Sequence, residues 1–183
     1  FTIKASDGTL LSASAVQVQV SVASDNKTPT LSSVNTLPDA VENTPFTISY
    51  ETLLAAANAA DDDGDAISFR IEAVSTGTLT KGGVSVTAGS TLLSSGETVV
   101  GTPAFNANGT LNAFTIKASD GTALSASAVQ VQASVAEVND APTLTTVSAL
   151  ADATEDTAFT ISYATLAAAA NEADADGDAF SFR

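Results

Sequence analysis

The sequence predicts an all-β chain made of tandem sandwiches of two antiparallel sheets. Three observations carry that expectation. Apolar and polar residues alternate over several short segments, which is the period of a strand with one wet face. Gly, Asp and Pro turn signals separate those segments. The chain also repeats itself. Phe46 to Arg70 reads FTISYETLLAAANAADDDGDAISFR, and Phe159 to Arg183 reads FTISYATLAAAANEADADGDAFSFR, 113 positions later with 20 of 25 residues identical. At the same offset, Phe1 to Gln19 matches Phe114 to Gln132 at 18 of 19 positions. A repeat of this kind governs the reading of everything local. Residues 1–26 are expected to be the C-terminal part of a preceding repeat, 27–139 a complete repeat, and 140–183 the N-terminal part of the following one.

Phe1, Ile3 and Ala5 alternate with Thr2 and Lys4, and Ser6-Asp7-Gly8-Thr9 supplies a turn. Val16, Val18, Val20 and Val22 then face one way and Gln17, Gln19 and Ser21 the other, the pattern of an antiparallel rather than a doubly covered parallel strand. Asn26-Lys27-Thr28-Pro29 breaks the pattern and marks a junction, with Asn139-Asp140-Ala141-Pro142 as its counterpart. Two acidic residues of the second junction, Glu137 and Asp140, correspond to Ser24 and Lys27 at the first, so the two cannot bind a cation equally.

Inside the complete repeat, Leu31 to Leu37 is expected to form the first strand and Pro38-Asp39 a turn, with Phe46, Ile48 and Tyr50 on one face of the second strand. Leu53 to Ala60 is rich in Leu and Ala but too short for a self-standing helix, and reads as one or two helical turns leading into an acidic loop. Ile67, Phe69, Ile71 and Ala73 alternate beyond it, and Lys81-Gly82-Gly83 turns a hairpin. Thr91 to Val100 contributes weaker strands, Asn108-Gly109 another turn, and the Phe114 and Val129 strands close the repeat. About seven strands per repeat favour two packed sheets, since a lone sheet would leave its apolar face wet.

The chain carries 21 acidic and 6 basic residues, a net charge of -15, and neither cysteine nor histidine. That charge opposes nucleic acid and anionic membrane and favours small cations. No run of apolar residues is long enough to span a bilayer, and direct membrane insertion is not expected. Because the sequence begins in mid-repeat, its lack of a signal segment says nothing about secretion.

The stretch Asp61-Asp62-Asp63-Gly64-Asp65 returns as Asp174-Ala175-Asp176-Gly177-Asp178, so the alternating Asp61, Asp63 and Asp65, with Asp174, Asp176 and Asp178, are the candidate ligands. Crowded carboxylates repel one another, and Ca2+, which takes 6–8 oxygens in flexible geometry, offers compensation. Zinc is a poor candidate without histidine or cysteine. An EF-hand reading would use Glu72 at the twelfth position, but Ala66 stands where that loop needs glycine and Glu72 lies on a strand. The remaining oxygens are therefore expected from Glu42 or Glu155, from Asn26 or Asn139 with Asp140, and from Asp7 or Asp120.

The joint pattern of Asp-x-Asp-Gly-Asp before a strand, Phe-Thr-Ile-Lys-Ala-Ser-Asp-Gly in the penultimate strand and Val138-Asn139-Asp140-Ala141-Pro142 at the junction resembles the cadherin-like tandem repeats of large bacterial surface proteins and RTX-type adhesins. The resemblance implies Greek-key sandwiches, cadherin- or immunoglobulin-like, running head to tail, with calcium stiffening the string. On that resemblance, Ca2+ falls to Glu42, Asp61, Asp63, Asp65, Asn139 and Asp140, with Glu155, Asp174, Asp176 and Asp178 repeating the set. Asp25-Asn26-Lys27-Thr28 departs from the junction pattern at three positions, which weakens the first site.

The expected function is a structural extender of an extracellular or cell-surface adhesin or fibre. Its partners are neighbouring repeats of the same chain, with homotypic fibre contacts as a further class. A carbohydrate-binding accessory module is the alternative, but the chain has no tryptophan and places Tyr50 and Tyr163 at core-like positions. An enzyme is not expected, because repetition of the acidic cluster in near-identical units suits a structural task.

Overall fold

A computed structural model describes residues 1–23 and 25–183. The N-terminal residues form one short antiparallel pair, β1 (Thr2–Ile3) with β2 (Val16–Gln17). The central part holds nine strands and one helix: β3 (Leu37–Val41), β4 (Phe46–Ser49), α1 (Tyr50–Ala56), β5 (Ser68–Val74), β6 (Thr78–Lys81), β7 (Val84–Ser85), β8 (Leu92–Leu93), β9 (Thr98–Thr102), β10 (Gly109–Ser119) and β11 (Val129–Ala136). A second helix, α2 (Tyr163–Ala169), follows. One sheet has the order β3-β11-β10-β5-β8 and the other β4-β9-β6-β7.

The all-β sandwich follows from the alternation. Along β5, Phe69 and Ile71 are buried between half-exposed Ser68, Arg70 and Glu72. Phe114, Ile116 and Ala118 of β10 and Val131, Ala133 and Val135 of β11 turn inward likewise. Ile48, Leu79 and Val99 face them from the second sheet, and the main core cluster runs through both. Burying one such large apolar side chain contributes roughly 1.5–3 kcal/mol. Gly101 is fitted to its place in that core: it pairs with Phe46, and an added Cβ would lie 3.0 Å from the Phe46 ring.

The structure moves the first strand. The segment expected to be a strand, Leu31 to Leu37, makes isolated bridges, Thr30 to Ala60 and Val34 to Ala57, and the regular strand is Leu37–Val41. Leu31 is buried as a member of the main core cluster although it lies outside the regular strands. Pro38 and Asp39 lie inside β3 rather than in a turn. The edge position tolerates the missing N–H of proline, and Asp39 takes a positive φ of 66° where the β3/β11 register shifts. The strand count also exceeds the expected number because β7 and β8 are only two residues each.

The helical turns start earlier than expected. Ser49 caps α1, its Oγ accepting from the Thr52 N–H at 3.0 Å, and the chain leaves the helix at Ala57, whose φ of -87° and ψ of 146° are extended. Tyr50 opens α1 rather than ending a strand, yet it is a core residue at 7% exposure, with its ring centroid 5.8 Å from that of Phe69. Its hydroxyl donates to the Ile67 carbonyl at 2.6 Å and so closes the acidic loop from the far side.

β3 and β11 pair in parallel, whereas the other strand pairs of the central unit are antiparallel. Two neighbouring strands that run the same way, one first and one last, put chain entry and chain exit at opposite ends of the sandwich. The acidic loop of residues 61–65 flanks the entry, where Thr30 pairs with Ala60. Glu42, just beyond β3, flanks the exit, where its N–H donates to the Ala136 carbonyl at 3.0 Å.

The candidate cation site at the junction

Each acidic loop is built locally before it meets anything else. Asp61 Oδ1 accepts the N–H groups of Asp63 and Asp65 at 2.9 and 3.2 Å, and Asp174 Oδ1 accepts those of Asp176 and Asp178 at 3.0 and 3.2 Å. Gly64 and Gly177, with φ of 78° and 79°, let the chain turn tightly enough to do this. Asx-type bonding of this kind folds the loop back onto the carboxylate of its first aspartate. Asp61, Asp63 and Asp65 each present an oxygen within 4.8 Å of the others.

The loop is then fastened to the linker that precedes it. Asn58 Oδ1 accepts the N–H groups of Ser32 and Ser33 at 3.0 and 2.8 Å, and Asn171 holds Thr145 and Thr146 in the same way. With those braces set, Asp63 Oδ2 accepts the Lys27 N–H at 2.5 Å, and Asp176 Oδ2 accepts the Asp140 N–H at 2.6 Å. The same clasp thus forms at both junctions, with a lysine side chain at one and a carboxylate at the other.

At the second junction the clasp meets the exit end of the central sandwich. Glu42 is only 1% exposed; its Oε1 accepts the Val138 N–H at 2.8 Å, and its Oε2 accepts from the Asn108 amide at 3.5 Å. Glu42, Asp140 and Asp176 each place an oxygen within 4.8 Å of the others. Three segments distant in sequence therefore converge on one point.

Among the described residues, Asp61 Oδ2, Asp140 Oδ2, Asp176 Oδ1 and Glu172 Oε2 are shielded from solvent and have no hydrogen-bond donor. An anionic oxygen without water or donor is costly, and a cation would satisfy it. An all-oxygen donor set fits a hard cation with flexible coordination, which is Ca2+ rather than zinc.

The other expected ligands are placed differently. Asn139 is exposed and donates its amide to the Asp140 carbonyl at 3.0 Å; Glu155 is exposed, with its carbonyl accepting from the Thr157 hydroxyl at 3.4 Å. Asp178 is exposed, and Asp174 holds the loop turn. Glu72 lies on β5 with its carboxylate 2.6 Å from Arg70 Nε, away from the EF-hand role. Ser24 lies outside the described residues, so the contrast between the junctions rests on Lys27 against Asp140. Sequence reasoning missed Glu172, Asn58 and Asn108. Glu172 carried a signal, since it replaces Ala59 at the equivalent position of the repeat.

Asp120 braces the entry end. Its Oδ1 accepts the Ala123 and Thr122 N–H groups at 2.6 Å each, and its Oδ2 accepts from the Asn26 amide at 2.9 Å. The bond from Ala123, then those from Asn26 and Thr122, hold this carboxyl below the usual aspartate range. A depressed folded-state pKa contributes stability that is present above the ordinary carboxylate range and is lost as pH falls through and below it. The melting difference between the parent chain and Asp120→Asn should therefore shrink as pH drops below about 4. A difference that stays constant to lower pH would remove this linkage.

The central residues thus form an all-β sandwich with acidic clusters at its entry and exit ends, the architecture of an adhesion- or extender-type module. A family model described as a cadherin-like domain matches residues 25–136, and the chain belongs to that family. No curated protein and no solved structure matched the chain in the corresponding searches. Among the described residues no helix is long and apolar enough to cross a membrane.

Proposed function

We propose that this chain is an extender segment of a large extracellular adhesin or surface fibre, stiffened by Ca2+ at its acidic loops and junctions. The convergence of Glu42, Asp140 and Asp176 supports it most, because Glu42 belongs to the complete repeat and Asp140 and Asp176 to the one that follows. A bound cation would convert repulsion between neighbouring units into shared attraction. In this reading residues 27–139 are one complete unit between two partial ones. Exposure agrees with that division: Phe114 and Ile116 are buried, while their counterparts Phe1 and Ile3 are 75% and 52% exposed.

Glu42, Asp140 and Asp176 would hold the ion at the second junction, and Asp61, Asp63 and Asp65 at the entry loop. Lys27 brings positive charge where Asp140 brings a carboxylate, so the second junction should respond more strongly. Spectroscopic distance labels in neighbouring units of two otherwise matched two-unit proteins, one with each junction, would read this directly. Calcium should narrow the distance distribution relative to chelator, and more so at the Asn139-Asp140 junction. Equal narrowing would remove the difference between junctions, and no narrowing in either would reject the stiffening.

A further inference from the structure

Asn108 is the only asparagine in the sequence that precedes glycine. Both Asn108 and Gly109 are exposed, and nothing lies within 4 Å of the position a Gly109 side chain would take. The Asn108 amide also sits on Glu42 Oε2, at the edge of the Glu42, Asp140 and Asp176 cluster. We propose that Asn108 is a site of spontaneous deamidation, and that its conversion adds a carboxylate to the junction site. The consequence for the cation rests on the calcium reading above; the conversion itself does not.

The chemistry needs only the chain and water. The Gly109 backbone nitrogen attacks the Asn108 side-chain carbonyl carbon, a C–N bond forms, the bond to the amide nitrogen breaks, and ammonia leaves with the proton from the Gly109 nitrogen. Water then opens the five-membered imide at either carbonyl, giving aspartate or isoaspartate. Glycine favours the first step because no Cβ shields its nitrogen and its φ is unrestricted. Gly109 already has a φ of 80°.

Conversion exchanges a hydrogen-bond donor to Glu42 for a negative charge beside it. Without a cation this adds repulsion at the exit end of the sandwich. With a hard cation it adds an oxygen of the type such ions take. The junction should thereby become more dependent on the ion as the protein ages.

Trypsin should release Asn106, Asn108 and Asn112 in one peptide, Gly82 to Lys117, so the three can be compared internally after warm, mildly alkaline incubation of the folded chain. The amide-to-acid mass change and isoaspartate should accumulate at Asn108 severalfold faster than at Asn106 or Asn112, and an Asn108→Gln chain should lose that fast phase. An Asn108→Asp chain should show a larger melting shift between calcium and chelator than the parent. Conversion at Asn108 no faster than at its two neighbours overturns the proposal, as does an Asn108→Asp chain with the parent's calcium shift. A parent that ignores calcium while Asn108 still converts overturns the calcium reading, and with it the consequence at the junction, but not the conversion.

Discussion

Replacing Glu42 by glutamine should remove most of the calcium-induced rise in melting temperature while leaving the protein at least as stable in chelator. Extracellular calcium modules bind with dissociation constants of roughly 10⁻⁴–10⁻³ M. At 100 times that constant, an ion bound only to the folded state adds about 2.7 kcal/mol. Glutamine keeps an acceptor for the Val138 N–H, so the hydrogen bond at 2.8 Å need not be lost. It removes a charge from a group whose oxygens lie within 4.8 Å of one another, where like charges repel by about a few kcal/mol per pair at an intermediate dielectric constant. Glu72→Gln is the control, because that carboxylate is engaged by Arg70 and should leave the calcium response intact. Thermal unfolding in millimolar calcium and in chelator measures both. An unchanged rise in the Glu42 variant would take this residue out of the ligand set.

Truncating Phe69 to alanine should cost about 3–5 kcal/mol, the range for emptying a fully buried aromatic site. Phe69 is 0% exposed and packs against Tyr50 in the main core cluster. The repeat supplies its own comparison. Phe182 makes the same ring contact with Tyr163, at 5.5 Å, but Tyr163 is 56% exposed against 7% for Tyr50. Phe182→Ala should therefore cost far less than Phe69→Ala in this chain. Urea unfolding compares the two through their midpoints, provided the slope is unchanged. Equal costs would mean that residues 140–183 hold a core of their own, against the proposed division of the chain.

Much of the fold was legible because its strands are wet on one face, as the alternation around Phe69, Ile116 and Val131 shows. The first strand was misplaced because Leu31 and Val34 are apolar for another reason: Leu31 belongs to the core cluster and Val34 packs against it, while their stretch makes only isolated bridges to Ala57 and Ala60. Pro38-Asp39 carries a strong turn signal, and only its place at a sheet edge explains why a strand accepts it. The loops Asp61 to Asp65 and Asp174 to Asp178 could be read from spacing and repetition alone. Glu42 was expected as a ligand only together with its counterpart Glu155, and nothing local tells that the first is buried and the second exposed. Asn58, Asn108 and Glu172 act through residues distant in sequence or through shielding from solvent, and neither property has a local period.

The parallel pairing of β3 with β11 has a mechanical consequence. A chain pulled from both termini draws β3 toward the entry end and β11 toward the exit end, so the two strands are asked to slide past each other. The contacts from Leu37–Ala133 to Val41–Ala136, with the Glu42 N–H on Ala136 beyond them, are then strained together instead of parting one at a time as in a zip. Glu42 terminates that ladder and also lies beside the carboxylates of Asp140 and Asp176. An ion held there would rivet the end of the seam to the segment that follows it.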